Sequence, residues 1–118
     1  QREVYETVLH AQIASLEAVR PGAVSEEIDA ISRRIIEEAG YGEFYGHSLG
    51  HSIAGGPNLV PGSREELEPG NVVTIEPGIY IPDWGGVRIE DTVLVTENGH
   101  ERLTWYPKDL RRIDGSSV

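Results

Sequence analysis

Three short stretches hold the side chains with a capacity for chemistry: Gly46-His47-Ser48-Leu49-Gly50-His51, Thr74-Ile75-Glu76-Pro77-Gly78 and Arg88-Ile89-Glu90-Asp91. Imidazole and carboxylate are the donors that divalent cations accept from a chain with no cysteine, and this chain has none. Two histidines four residues apart on an extended strand point to one face, and the intervening glycine lets another backbone or a ligand approach. On the pair alone, a merely hydrogen-bonding role stays as open as a ligand role. Glu76 closes an apolar run directly before Pro77-Gly78 and is therefore pinned near a sheet. Glu90 lies within Val87–Val95, where Arg88 and Glu90 share one strand face and Ile89 and Asp91 the other. A solvated ion pair would account for Arg88 and Glu90 taken by themselves. If the strands are neighbours, two carboxylates and an imidazole from a third strand could instead converge on divalent cations, and bridging carboxylates suit a two-metal site.

Positioning those groups requires elements that the sequence also indicates. Tyr5, Leu9, Ile13 and Leu16 are spaced as one face of a helix over residues 1–20, which Pro21-Gly22 ends. A second helix follows, with Ser25 as N-cap, Glu26, Glu27 and Asp29 at the positive end of its dipole, Ile28, Ile31 and Ile35 as its buried stripe, and Gly40 as its stop. Beyond residue 41 the short β-branched runs read as strands. Val72–Ile81 and Val87–Thr96 are expected to pair antiparallel through a hairpin at Pro82-Asp83-Trp84-Gly85-Gly86. Residues 61–69 form a surface connection. Asn98-Gly99 turns into a short strand at Glu101–Leu103, and the last residues, 115–118, are expected to be disordered. The fold class is α+β in one unit spanning 1–118: a helix pair (1–40) packed on a curved antiparallel sheet (41–106), then a tail (107–118).

Taken in order, His47-x-x-Gly50-His51, Glu76-Pro77-Gly78-Ile79-Tyr80 and Gly86-Val87-Arg88-Ile89-Glu90-Asp91 resemble the Xaa-Pro dipeptidases and Xaa-Pro aminopeptidases of the methionine aminopeptidase and creatinase superfamily, nearest to the prolidase branch. Arg20-Pro21-Gly22, Leu103-Thr104 and Pro107-Lys108 fit the same pattern. The resemblance implies the C-terminal half of a pita-bread catalytic domain. It implies His51, Glu76 and Glu90 as metal ligands with Glu90 bridging, Glu76 also as general base, His47 as a group that steadies substrate or the tetrahedral intermediate, and Arg88 as an arginine orienting the carboxylates. Manganese, cobalt or zinc would be the metal pair, and a peptide with proline second the substrate. Two further aspartate ligands belong to the preceding half of such a domain, so the chain by itself is expected to be inactive. Seven residues beyond His51, where that family usually carries another histidine, stands Asn58, which cannot exchange a proton near neutral pH. A noncatalytic binding module of the same fold is the alternative, and a creatinase-type carbon–nitrogen hydrolase a third.

Composition narrows the partners. Ten basic against twenty acidic residues give a net charge of -10, which repels a phosphate backbone, so nucleic acid is not expected. No apolar run of about 18 residues is present to span a bilayer, and no signal-peptide pattern opens the chain. Absence of cysteine agrees with a cytoplasmic location. The chain has no methionine and begins Gln1-Arg2-Glu3, so an upstream segment is expected. An incomplete domain exposes a sheet edge and apolar surface, from which a homodimer about a two-fold axis is expected.

Overall fold

The structure is a computed structural model and describes residues 1–104. Two helices, α1 (Arg2–Glu17) and α2 (Ser25–Glu38), precede five strands: β1 (Val72–Ile75), β2 (Gly78–Ile81), β3 (Gly85–Arg88), β4 (Asp91–Val95) and β5 (His100–Arg102). Between them lies a 3-10 turn at Gly42–Phe44. The tail expected at 107–118, with Pro107-Lys108, lies outside the described residues. Among the described residues no helix is long and apolar enough to cross a membrane.

Both helices present faces that differ from the expected stripes. On α1 the buried residues are Val4, Val8, Ala11, Gln12, Ser15 and Leu16, while Tyr5 and Leu9 are partly buried and Ile13 is 42% exposed. The face is turned by about one residue, or 100°, toward small side chains. Ala11 and Ser15 permit close packing where bulky Ile13 does not. On α2 the buried positions are Ser25, Ile28, Asp29, Ser32 and Ile36, with Ile31 and Ile35 only partly covered. Asp29 is thus no dipole-facing surface charge but a 2% exposed carboxylate.

Val24, not Ser25, is the N-cap residue of α2. Ser25 donates both its N–H (2.9 Å) and its hydroxyl (2.5 Å) to the Glu65 carbonyl, and Glu26 N–H bonds the Ser63 carbonyl. The 61–69 connection therefore satisfies N–H groups that a helix start leaves unpaired. Gly40, at φ +94°, ends the helix as expected, whereas α1 stops at Glu17, before Pro21-Gly22.

The expected long hairpin exists in one register but is interrupted. β1 pairs β4 with Ile75 opposite Asp91, and β2 pairs β3 with Gly78 opposite Arg88. Both ladders obey the same pairing rule, so no residue is inserted between them, and Glu76 must face Glu90. Ladder order is lost there because Pro77 has no N–H; only the Ile89 N–H to Pro77 carbonyl bond (3.3 Å) crosses the gap. β5 extends the first ladder, giving the order β1-β4-β5. One apolar core, including Leu16, Val19, Ile28, Val73, Ile75 and Val93, belongs to β1–β4. A second, with Val4, Val8, Ile36, Tyr45, Ile79 and Val87, belongs to β2–β3. The interruption lies at their seam.

Candidate metal centre

Hydrogen-bond alternation identifies the kind of pair that Glu76 and Glu90 make. Ile89 N–H to Pro77 carbonyl, and Val95 N–H to Asn71 carbonyl, make the odd-numbered residues the bonded partners. Glu76 and Glu90 are then a non-hydrogen-bonded pair, the type in which facing side chains come closest. Burial follows the same parity: Ile75, Ile79, Val87, Ile89, Asp91 and Val93 are buried, while Arg88 and Glu90 are exposed and Glu76 and Tyr80 partly covered. Two carboxylates, a phenol and a guanidinium thus share the outer face.

The histidine segment is not a regular strand but runs along the free edge of β1. Glu76 N–H bonds the Leu49 carbonyl (2.8 Å), Thr74 N–H the His51 carbonyl (2.9 Å) and Ile53 N–H the Val72 carbonyl (2.9 Å). His51 N–H donates in turn to Thr74 Oγ1 (3.0 Å). Gly50 is required for this approach, because a Cβ there would fall on the Thr74 carbonyl oxygen. The pairing brings His51 Nε2 to 3.5 Å from Glu76 Oε2. His51, Glu76 and Glu90 therefore stand on three adjacent antiparallel segments. Among the described residues, however, no group of three or more His, Asp or Glu side chains is gathered tightly enough to hold an ion. The donor types suit divalent cations, and a cation between facing carboxylates would relieve their repulsion, so the set fits a metal by its chemistry.

His47 and Arg88 meet through Tyr80, which the sequence reading did not single out. His47 Nε2 lies 2.6 Å from the Tyr80 hydroxyl, and Nδ1 lies 2.7 Å from the Ser48 carbonyl oxygen. A carbonyl only accepts, so Nδ1 carries a proton and donates to Ser48, which leaves Nε2 facing the Tyr80 hydroxyl. Burial pushes the Tyr80 pKa up, and the Arg88 guanidinium beside the phenol opposes that rise. Tyr80 reaches His47 by lying over Gly78, where a Cβ would come 2.5 Å from the Tyr80 hydroxyl oxygen. Its parity with Glu76 and Arg88 was the available signal.

Two buried carboxylates were also missed. Asp91, wholly buried, accepts from Gln12 Nε2 (2.6 Å) and Thr104 Oγ1 (3.0 Å), with Arg102 Nε at 3.7 Å, and so ties α1 to β4 beside Glu90. Asp29 takes both Nε and Nη2 of Arg33 at 3.1 Å and the Leu49 N–H at 2.9 Å. Arg33 also lies 4.3 Å over the Tyr45 ring. Burial works against the Arg33 charge, but the Asp29 hydrogen bond and charge outweigh it and leave the Arg33 pKa raised. Burial likewise pushes the Tyr45 phenol up to about 12, against the lowering influence of its hydrogen bond with Ser32. Asn58 is exposed and accepts the Ser52 N–H at Oδ1 (2.8 Å), closing the 52–58 loop on itself.

The model of metallopeptidase family M24 matches residues 1–97. The Xaa-Pro dipeptidase of Pyrococcus furiosus is 52% identical over 114 residues, which cover 93% of this chain and 33% of that protein. The Xaa-Pro dipeptidase of Lactobacillus helveticus is 48% identical over 117 residues, covering 96% and 32%. Among solved structures, the prolidase from Pyrococcus horikoshii OT3 superposes with a TM-score of 0.87 at 50% identity, covering 91% of this chain and 32% of that one. The X-Pro aminopeptidase from Thermotoga maritima MSB8 does so at 0.87 and 39% identity, covering 92% and 32%. The described architecture is thus part of the pita-bread fold, and the chain spans about a third of the length of these relatives.

Proposed function

Because this chain belongs to metallopeptidase family M24, we propose that it is the portion of an Xaa-Pro dipeptidase or aminopeptidase that supplies His51, Glu76 and Glu90 to a dinuclear divalent-metal site. The observation carrying the reading is the opposition of Glu76 and Glu90 in one register, with His51 on the adjoining edge 3.5 Å from Glu76. When bound, manganese, cobalt or zinc would acidify water and polarise the scissile carbonyl. Glu90 would bridge the ions. Glu76 would hold its ion and take the proton of the attacking water, for which a carboxylate fixed against the sheet edge is well placed. His47, with its Nε2 edge 2.6 Å from the Tyr80 hydroxyl, would turn that edge toward substrate or the tetrahedral intermediate. Arg88 would orient the carboxylates and the Tyr80 phenol. The substrate class is a peptide with proline in second position, and the location cytoplasmic. Two copies would associate about a two-fold axis, covering apolar side chains such as Ile13, 42% exposed, and Ile53, 57% exposed. A monomer by light scattering at high micromolar concentration counts against the dimer.

With manganese added, the 118-residue chain is expected to be inactive on Xaa-Pro dipeptides, and a gene product extended upstream, carrying two further aspartates, active. Turnover by the short chain refutes the missing-ligand argument. A second reading, a noncatalytic module of the same fold, is favoured by Asn58, whose amide oxygen is engaged by Ser52 rather than free for chemistry. An extended protein that binds metal yet cleaves no Xaa-Pro bond would establish it.

A further inference from the structure

We infer that the Asp29–Arg33 pair on α2 is a positioning device for the His47 imidazole, acting through the two peptide groups that flank Ser48. Leu49 N–H and Ser48 C=O belong to one peptide unit, and in a trans peptide they point in opposite directions. Asp29 Oδ1 takes that N–H at 2.9 Å. The carbonyl is thereby aimed away from α2, and His47 Nδ1 meets it at 2.7 Å. Arg33 Nη2 holds the preceding peptide through the His47 carbonyl at 3.0 Å, and Nη1 approaches the Tyr45 carbonyl at 3.4 Å. One fork thus grips Asp29 and two carbonyls, a task for which a planar guanidinium is shaped and a lysine is not. Tyr45 completes the cradle: its ring lies beneath Arg33 and meets the His47 ring edge-on, with centroids 5.3 Å apart. The segment carrying His47 has no regular strand around it, and it joins the β1 edge only from Leu49 onward. The helix therefore sets the ring's tautomer, with the proton on Nδ1 and Nε2 facing Tyr80. The consequence for catalysis rests on the peptidase reading of His47; the positioning itself does not.

The test uses the ¹⁵N-labelled 118-residue chain, with imidazole nitrogens observed through long-range ¹H–¹⁵N correlation. His47 is expected as one tautomer, protonated on Nδ1. His100, whose Nδ1 bonds the Val19 carbonyl at 3.0 Å rather than a peptide held by Asp29 or Arg33, is the internal control. In Arg33→Lys and Asp29→Asn the preference of His47 is expected to fall about tenfold while His100 is unchanged, the response to losing about one hydrogen bond's worth of orientation. Should a variant fail to fold, hydrogen exchange of the unaltered chain decides: the Leu49 amide is expected to exchange about 100-fold more slowly than the exposed Ala54 amide. Folded variants with an undisturbed His47 tautomer, equal change at His100, or a Leu49 amide exchanging as fast as Ala54, would overturn the inference. None of these readouts needs metal or turnover, so failure here leaves the peptidase reading standing, and an inactive extended protein leaves the clamp standing.

Discussion

Neutralising either of the facing glutamates should change stability in opposite directions with and without a divalent cation. Glu76 and Glu90 form a non-hydrogen-bonded cross-strand pair, in which Cα atoms sit about 4.5 Å apart and the carboxylates about 5 Å. At that distance two unit charges repel by about 0.8 kcal/mol in water and about 3 kcal/mol at an effective dielectric of 20. Glu90 is exposed, Glu76 15% exposed with His51 beside it, and Arg88 is on the same face. Screening therefore places the cost near the lower bound, about 0.5 to 1 kcal/mol. Glu90→Gln, which keeps shape and removes charge, should raise the urea-unfolding free energy of the metal-free chain by that amount at pH 7 and low salt. The gain should shrink in 1 M salt, where the Debye length is about 3 Å. With manganese at about ten times its dissociation constant, the unaltered chain should gain about 1.4 kcal/mol and the variant much less, so their order reverses. A Glu90→Gln chain no more stable than the unaltered one without metal, or equally stabilised by manganese, would refute the facing-carboxylate argument.

Gly50→Ala should cost about 2 to 4 kcal/mol in urea unfolding, because the added methyl meets the Thr74 carbonyl, a backbone group that cannot swing aside. Gly78→Ala should leave the fold intact at a cost of about 1 to 2 kcal/mol but expel the Tyr80 ring, breaking its bond to His47, visible as a shifted His47 Nε2 resonance. Gln12→Ala should lower stability by about 2 to 4 kcal/mol, since it strips a 2.6 Å donor from the buried Asp91 carboxylate and opens a cavity; calorimetry measures it. The Tyr45 phenol, raised from 10 to about 12, keeps its proton in the folded chain after losing it in the unfolded one. Its stabilisation is whole below pH 10 and is lost as pH rises to 12, about 2 to 3 kcal/mol, and Tyr45→Phe should remove that share of the alkaline slope.

Local patterns in the sequence were enough for the two helices, the hairpin partners and the face shared by Arg88 and Glu90, though not for the irregular histidine segment, because strand parity and turn chemistry act over a few residues. They also carried the ordered motifs around His51, Glu76 and Glu90. The helix faces were misjudged because bulk alone does not choose a face: α1 turns its small Ala11 and Ser15 inward and leaves Ile13 out. Asp29 looked like a charge for a helix dipole and Asp91 was only assigned the strand face of Ile89, since nothing nearby in the chain reveals that Leu49, or Gln12 seventy-nine residues away, will satisfy them. Tyr80 was passed over for the same reason, its partners His47 and Arg88 being brought to it only by the folded sheet edge. The sequence by itself thus determined which donor groups exist and on which side of their own strands they stand. Tertiary structure alone decided that Glu76 faces Glu90, that the histidine segment lies along β1, and that a helix holds that segment in place, because pairing partners and the solvation of buried charge are settled by contacts between distant parts of the chain.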